Sequence, residues 1–126
     1  MPNPVVDMPK AGRENWNKGY PIALWFTKYG DTLGFIVEIG PFTDPEQRVL
    51  FMKHMENYGF NLKERSKRLE SQFTRIYTKY IKIKDWSNKD EILEVMMYLY
   101  NDKAKQTIDT LLQAVNTFTW QKPEEL

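Results

Sequence analysis

Asp31 and Glu38 bracket a short apolar run in DTLGFIVEIG, residues 31–40. Two carboxylates placed this way can share a divalent cation for phosphodiester hydrolysis, provided a lysine two residues beyond the glutamate assists the attacking water. That position is Gly40. Asp31 also falls in a turn-like GDT, with six residues between it and Glu38, which gives no evident route to one shared cation. The simpler expectation is a turn-forming Asp31 and a strand residue Glu38 that pairs with an arginine such as Arg75. The single histidine, His54, has Glu46 eight residues away and Tyr58 as its nearest helper, so it reads as a surface side chain rather than a general base. Zero cysteines exclude disulfides, thiolate catalysis and cysteine-ligated zinc. No complete catalytic constellation is present, no metal site or cofactor is expected, and the expected activity is binding rather than catalysis.

Charge carries more information than any motif. The whole chain is +1, yet residues 60–85 hold Lys63, Arg65, Lys67, Arg68, Arg75, Lys79, Lys82 and Lys84 against Glu64, Glu70 and Asp85, which makes that segment +5 (8 − 3) and the remainder −4 (1 − 5). Cations release counterions from a phosphate backbone, and interleaved Tyr77 and Tyr80 can stack on unpaired bases. Lys63, Arg65, Lys67, Arg68, Arg75, Lys79 and Lys82 are therefore candidates for binding nucleic acid or a partner. The competing reading is a solvated segment followed by an edge strand whose lysines discourage sheet-to-sheet association. Trp25 joins Tyr77 and Tyr80 as a candidate interface aromatic, because strand alternation places it on the second face of its hairpin with Ala23 and Thr27, opposite Ile36 and Glu38.

The elements that must position these residues can be read from patterning. With 126 residues, 41% of them apolar, the chain supports one core and no second one. No apolar run is long enough for a membrane helix, and MPNPVVDMPKAGREN lacks the order of a secretory signal, so the expected address is cytoplasmic. Three prolines in residues 1–18 suggest an extended tail anchored only at Trp16; residues 19–118 form the expected domain and residues 119–126 a frayed end. YPIALWFTKY and LGFIVEIG, separated by GDT, predict a β-hairpin with Leu33, Phe35, Val37 and Ile39 on the core face. A helix follows, capped by a Thr43–Glu46 box, stopped at Gly59, burying Val49, Phe51, Met52 and Met55 and leaving Arg48, Lys53 and Glu56 to solvent.

Residues 60–73 give no clear signal. TRIYTKYIKIKDW predicts a third strand whose parity breaks between Ile76 and Ile81, as a bulge would produce. Ser87 then caps a helix striped with Ile92, Val95, Met96 and Leu99, and a slip in spacing near Asn101 and Asp102 predicts a second helix carrying Ile108, Leu111, Leu112, Val115 and Phe118. The fold class is α+β, a single domain with the order ββαβαα.

The order LWFTKYGDTLGFIVEIGPF, RVLFMKHMENYGF, RIYTKYIKI and a helical tail resembles the C-terminal, non-catalytic region of bacterial and phage PD-(D/E)XK-type restriction-like nucleases, over roughly residues 20–115. The similarity rests on the EIGP end of the hairpin (Glu38 to Pro41), Arg48 at the start of the helix and RIY at 75–77. That family's carboxylate and lysine motif lies upstream of this region, so the resemblance implies an appendage and assigns no catalytic residue. Two functions are expected in turn. One is an accessory module of a defence or DNA-processing system that binds nucleic acid or docks beside a nuclease core. The other is a small protein acting by protein contact, such as a phage-encoded inhibitor or an antitoxin, with the C-terminal helices as a possible homodimer surface.

Overall fold

A computed structural model of the chain describes residues 21–120; the proposed tail at 1–18, its Trp16 anchor and residues 121–126 lie outside them. Strands β1 (Ile22–Tyr29) and β2 (Thr32–Ile39) pair antiparallel, and β3 (Thr74–Lys82) adds to the far side of β2, giving the sheet order β1-β2-β3. The hairpin turn needs only Gly30 and Asp31, because Gly30 adopts φ +60°, a left-handed conformation that a side chain would oppose. Thr32 Oγ1 closes the turn by donating to Tyr29 O at 2.6 Å.

Period-two alternation works as expected in β2. Leu33, Phe35, Val37 and Ile39 all enter the core shared with the helices, at no more than 6% exposure. Complete burial of one such side chain stabilises the fold by about 1.5–3 kcal/mol. The expected irregularity in β3 is also present. Val37 pairs with Tyr77 but Glu38 pairs with Arg75, so Ile76 is the extra residue of a bulge.

Helix α1 (Pro45–Glu56) starts one residue later than the cap box suggests: Asp44, not Thr43, accepts from the Glu46 and Gln47 amides, and Pro45 occupies the first turn. Gly59 at φ +94° ends the turn that follows the helix. Phe51, Met52 and Met55 are buried as expected, but so are Gln47 and Arg48. The expectation that Arg48 faces solvent is therefore wrong. Its guanidinium fills a gap between the helix, the end of the sheet and the following loop, where backbone carbonyls lack partners.

Helix α2 (Lys89–Tyr98) is capped by Asn88 rather than Ser87, whose hydroxyl instead donates to Asp85. It runs into helix α3 (Lys105–Thr117) through a π-helical segment, Leu99–Ala104. The slip in apolar spacing is thus absorbed by one wide turn, without the capped break expected at Asn101 and Asp102. Ile108, Leu111, Ala114 and Val115 of α3 are buried. The chain then folds Phe118 and Trp120 against Phe51, with ring centroids 5.3 and 5.0 Å away, and Trp120 Nε1 donates to Val115 O at 2.9 Å. Phe118 and Trp120 thus pack, partly buried, against the core. The described residues form a single α+β domain, with α1, α2 and α3 packed on the face of the three-stranded sheet that carries Leu33, Phe35, Val37 and Ile39.

Candidate nucleic-acid interface

Residues 61–73, from the stretch that gave no clear sequence signal, form with Thr74 and Arg75 at the start of β3 one wall of a groove of about 570 Å³. A short 3-10 turn, Glu64–Lys67, organises this wall. Ser66 is buried in its middle, and its carbonyl accepts from Arg48 Nη1 at 3.4 Å. The same guanidinium donates from Nε to Gly40 O at 2.8 Å and from Nη2 to Ile39 O and Thr74 Oγ1, both at 3.1 Å. One side chain thus ties the turn to the ends of β2 and β3. Burial lowers its pKa from the usual guanidinium range to about 10, so it remains charged at neutral pH.

Lys67 makes the second tie. Its ammonium donates to Glu56 on α1 at 3.0 Å and to Glu64 at 2.9 Å. Those bonds raise the Lys67 pKa, with the Glu64 bond the larger cause, and the bond from Lys67 lowers that of Glu64. With Ser66 and Lys67 turned inward, Lys63, Arg65 and Arg68 are exposed and line the groove together with Arg75. None of the first three makes an ion pair with a described residue. Arg75 pairs with Glu38 at 3.5 Å, as expected, and its guanidinium sits 5.9 Å from the Trp25 ring centre.

The bulge decides what Arg75 can do. By simple alternation Arg75 would share a face with Tyr77 and Lys79, but the extra residue Ile76 turns it onto the face of Thr78, Tyr80 and Lys82. The candidates therefore separate. Lys63, Arg65, Arg68 and Arg75 share the groove, and Trp25, Tyr80 and Lys82 share the adjoining sheet face. Tyr77 instead packs edge-on against Phe35 on the helix side, with centroids 6.4 Å apart, and exposed Lys79 lies opposite Phe35 on that same side. Lys67 is committed to its two glutamates. Lys82 makes a long pair with Asp31 at 3.6 Å.

The groove also takes in Asn61, Ser71 and Phe73, which carry no charge, and Glu70, which the charge balance sets against the basic run. Their signal was the polar composition of a segment with no periodicity. Asp31 and Glu38 sit at opposite ends of β2, roughly 20 Å apart at strand rise, each with its own cationic partner. Among the described residues no group of three or more acidic or histidine side chains is arranged to hold a metal ion, and no helix is long and apolar enough to cross a membrane. His54 joins α1 to the end of α3 through Nε2 and Thr117 Oγ1 at 2.9 Å, a structural bond.

No family model, curated protein or solved structure matches this chain.

The chemistry open to the groove thus rests on its own residues. Three cations with no ion pair to a described residue and one arginine paired with Glu38 border an open cleft, with Asn61, Ser71 and the carboxylate of Glu70 as further lining groups. Such a surface suits a multivalent anion with spaced charges better than one small anion, because the guanidinium groups lie on an exposed turn and strand rather than around a closed cavity.

Proposed function

We propose that this chain is a binding module and that its groove takes the phosphate backbone of nucleic acid through Lys63, Arg65, Arg68 and Arg75. The observation that supports this reading is the outward presentation of Lys63, Arg65 and Arg68 by a turn whose inward residues, Ser66 and Lys67, are held by Arg48, Glu56 and Glu64. Cations left to solvent by chance need no such mooring. Three or four phosphate contacts give binding whose logarithm falls with the logarithm of salt at a slope of about −3, far shallower than a full operator-binding protein. In this reading the module is a non-catalytic accessory of a bacterial or phage defence or DNA-processing system, a setting that comes from the resemblance alone. Fluorescence anisotropy of labelled oligonucleotides, titrated at low and physiological salt, tests it. Salt-sensitive binding that Arg68→Glu weakens by tenfold or more is the expected result, and no binding at low salt refutes it.

A specific observation favours a second reading, action by protein contact. Leu93 and Met97 of α2 are 57% and 53% exposed, lie one turn apart, and are followed by half-exposed Tyr100. The face of α3 is buried in the core, so α2 is the C-terminal helix with apolar surface available to a second copy or another protein. Sedimentation equilibrium of the protein and of Leu93→Asp reads this directly: a dimer lost in the variant supports self-association.

A further inference from the structure

The sheet face opposite the helices carries aromatic side chains that the core does not use. Tyr29 is 77% exposed and Tyr80 39%, and their ring centroids are 6.4 Å apart. Tyr80 lies across Gly34 of the central strand, so close that a Cβ there would stand 2.5 Å from its Cδ1 and Cε1 atoms. Glycine inside a central strand costs stability, and this one makes room for the edge of an aromatic ring against the sheet backbone. Lys82 and Thr32 share the row of Tyr29, and in the next row beyond Tyr80 partly buried Trp25 and exposed Thr78 flank Ile36, which is itself 1% exposed. One more row brings in Arg75 and Glu38, which border the basic groove. From Lys82 to Arg75 the face extends about 20 Å at strand rise, the reach of a site of roughly four nucleotides.

We infer that this face is a stacking platform for unpaired bases and that the occupant of the combined surface is a single-stranded polynucleotide, its bases on Tyr80 and Tyr29 and its backbone running between Lys82 and the groove. The inference rests on the nucleic-acid reading of the groove and narrows it. A duplex keeps its bases stacked on one another and offers only phosphates, so it engages the groove and leaves the tyrosines idle. An unpaired strand engages both. Stacking is indifferent to base identity, because every base has a π-face, so the platform selects for single strands and not for sequence.

Anisotropy with labelled 12-nucleotide single strands of DNA and RNA and the matching DNA duplex, compared at low and at physiological salt, is the test. The single strand of one or both types binds at least fivefold more tightly than duplex. Tyr80→Ala and Tyr29→Ala each weaken single-strand binding about tenfold and change duplex binding less than twofold, whereas Tyr80→Phe stays within twofold of the parent. Tyr29 is almost free of the fold, so Tyr29→Ala reports on stacking even where Tyr80→Ala disturbs the sheet. Gly34→Ala, which keeps every aromatic and charge but displaces the Tyr80 ring, weakens single-strand binding alone. Equal binding of single and double strands that is insensitive to both tyrosines overturns the platform and leaves the groove reading standing. Absence of salt-sensitive binding to any of the three probes overturns both.

Discussion

Tyr80 and Gly34 form one packing unit: the ring of the edge-strand tyrosine lies over the glycine of the central strand, where an added Cβ would meet it at 2.5 Å. Gly34→Ala therefore forces the half-exposed ring outward. The expected cost is about 1–2 kcal/mol, the range for overpacking relieved by a mobile neighbour. With Tyr80 already removed, the same substitution meets open space on that side and costs less, so a double-mutant cycle by urea unfolding gives a coupling of about 0.5 kcal/mol or more. Additive effects would show that the ring does not rest on the glycine in solution.

Arg48 predicts a larger loss. Its guanidinium serves the carbonyls of Ile39, Gly40 and Ser66 and the hydroxyl of Thr74, and Arg48 itself is 2% exposed. Arg48→Met keeps much of the volume but orphans those acceptors, each worth about 1–3 kcal/mol when left without a partner in the interior. A loss of about 3–5 kcal/mol in urea unfolding is expected. Arg48→Lys does not restore it, because one ammonium cannot span acceptors on both sides of a planar fork. Stability within 1 kcal/mol of the parent for either variant would contradict this role.

Arg48 also marks where sequence reading stopped. Period-two alternation located the core face of β2, and the parity break between Ile76 and Ile81 foreshadowed the bulge, because both are local patterns. Helix periodicity assigns a polar residue to solvent; it carries no information about unpaired carbonyls at the end of a sheet eight to twenty-six residues away. The two N-caps were each displaced by one residue, since Thr43 and Asp44, or Ser87 and Asn88, are all capable caps and the backbone angle selects between neighbours. The basic run was visible as charge. Which of its members converge was not, because Lys67 is drawn inward by Glu56 on a different element and the bulge moves Arg75 away from the side of Lys79.

The Glu64–Lys67 pair gives a pH signature. The hydrogen bond from Lys67, then its charge, lowers the Glu64 pKa below 4.5. The pair's contribution through Glu64 is thus complete above about pH 4.5 and is lost as pH falls through the lowered value. Lys67 is shifted the other way, above 10.5, so its contribution is complete below that pH and lost only as pH rises through the raised value. Carbon-detected NMR titration of the Glu64 carboxyl is expected to show a midpoint below 4.5 that returns toward 4.5 in Lys67→Met. A midpoint unchanged by that substitution would exclude the tie that holds the turn.

The two C-terminal helices differ in how they tolerate charge. Leu111 of α3 is 2% exposed within the core, so Leu111→Asp buries a carboxylate without a partner and unfolds the domain. Leu93→Asp, on the exposed side of α2, leaves the thermal midpoint within a few degrees. A folded Leu111→Asp protein by circular dichroism would mean that α3 does not pack as described.

Charge reversal on the basic segment separates convergence from charge alone. Arg68 lines the groove with no ion pair to a described residue, whereas Lys79 lies on the helix side of β3 opposite Phe35. Both reversals change the net charge of the protein by two units, so a purely long-range attraction weakens equally in each. Local phosphate contact does not. Arg68→Glu is expected to reduce oligonucleotide affinity tenfold or more and to make the salt slope shallower by about 1, while Lys79→Glu changes affinity less than threefold with the slope preserved. Equal losses from the two variants would assign binding to the overall charge of the segment and not to the groove.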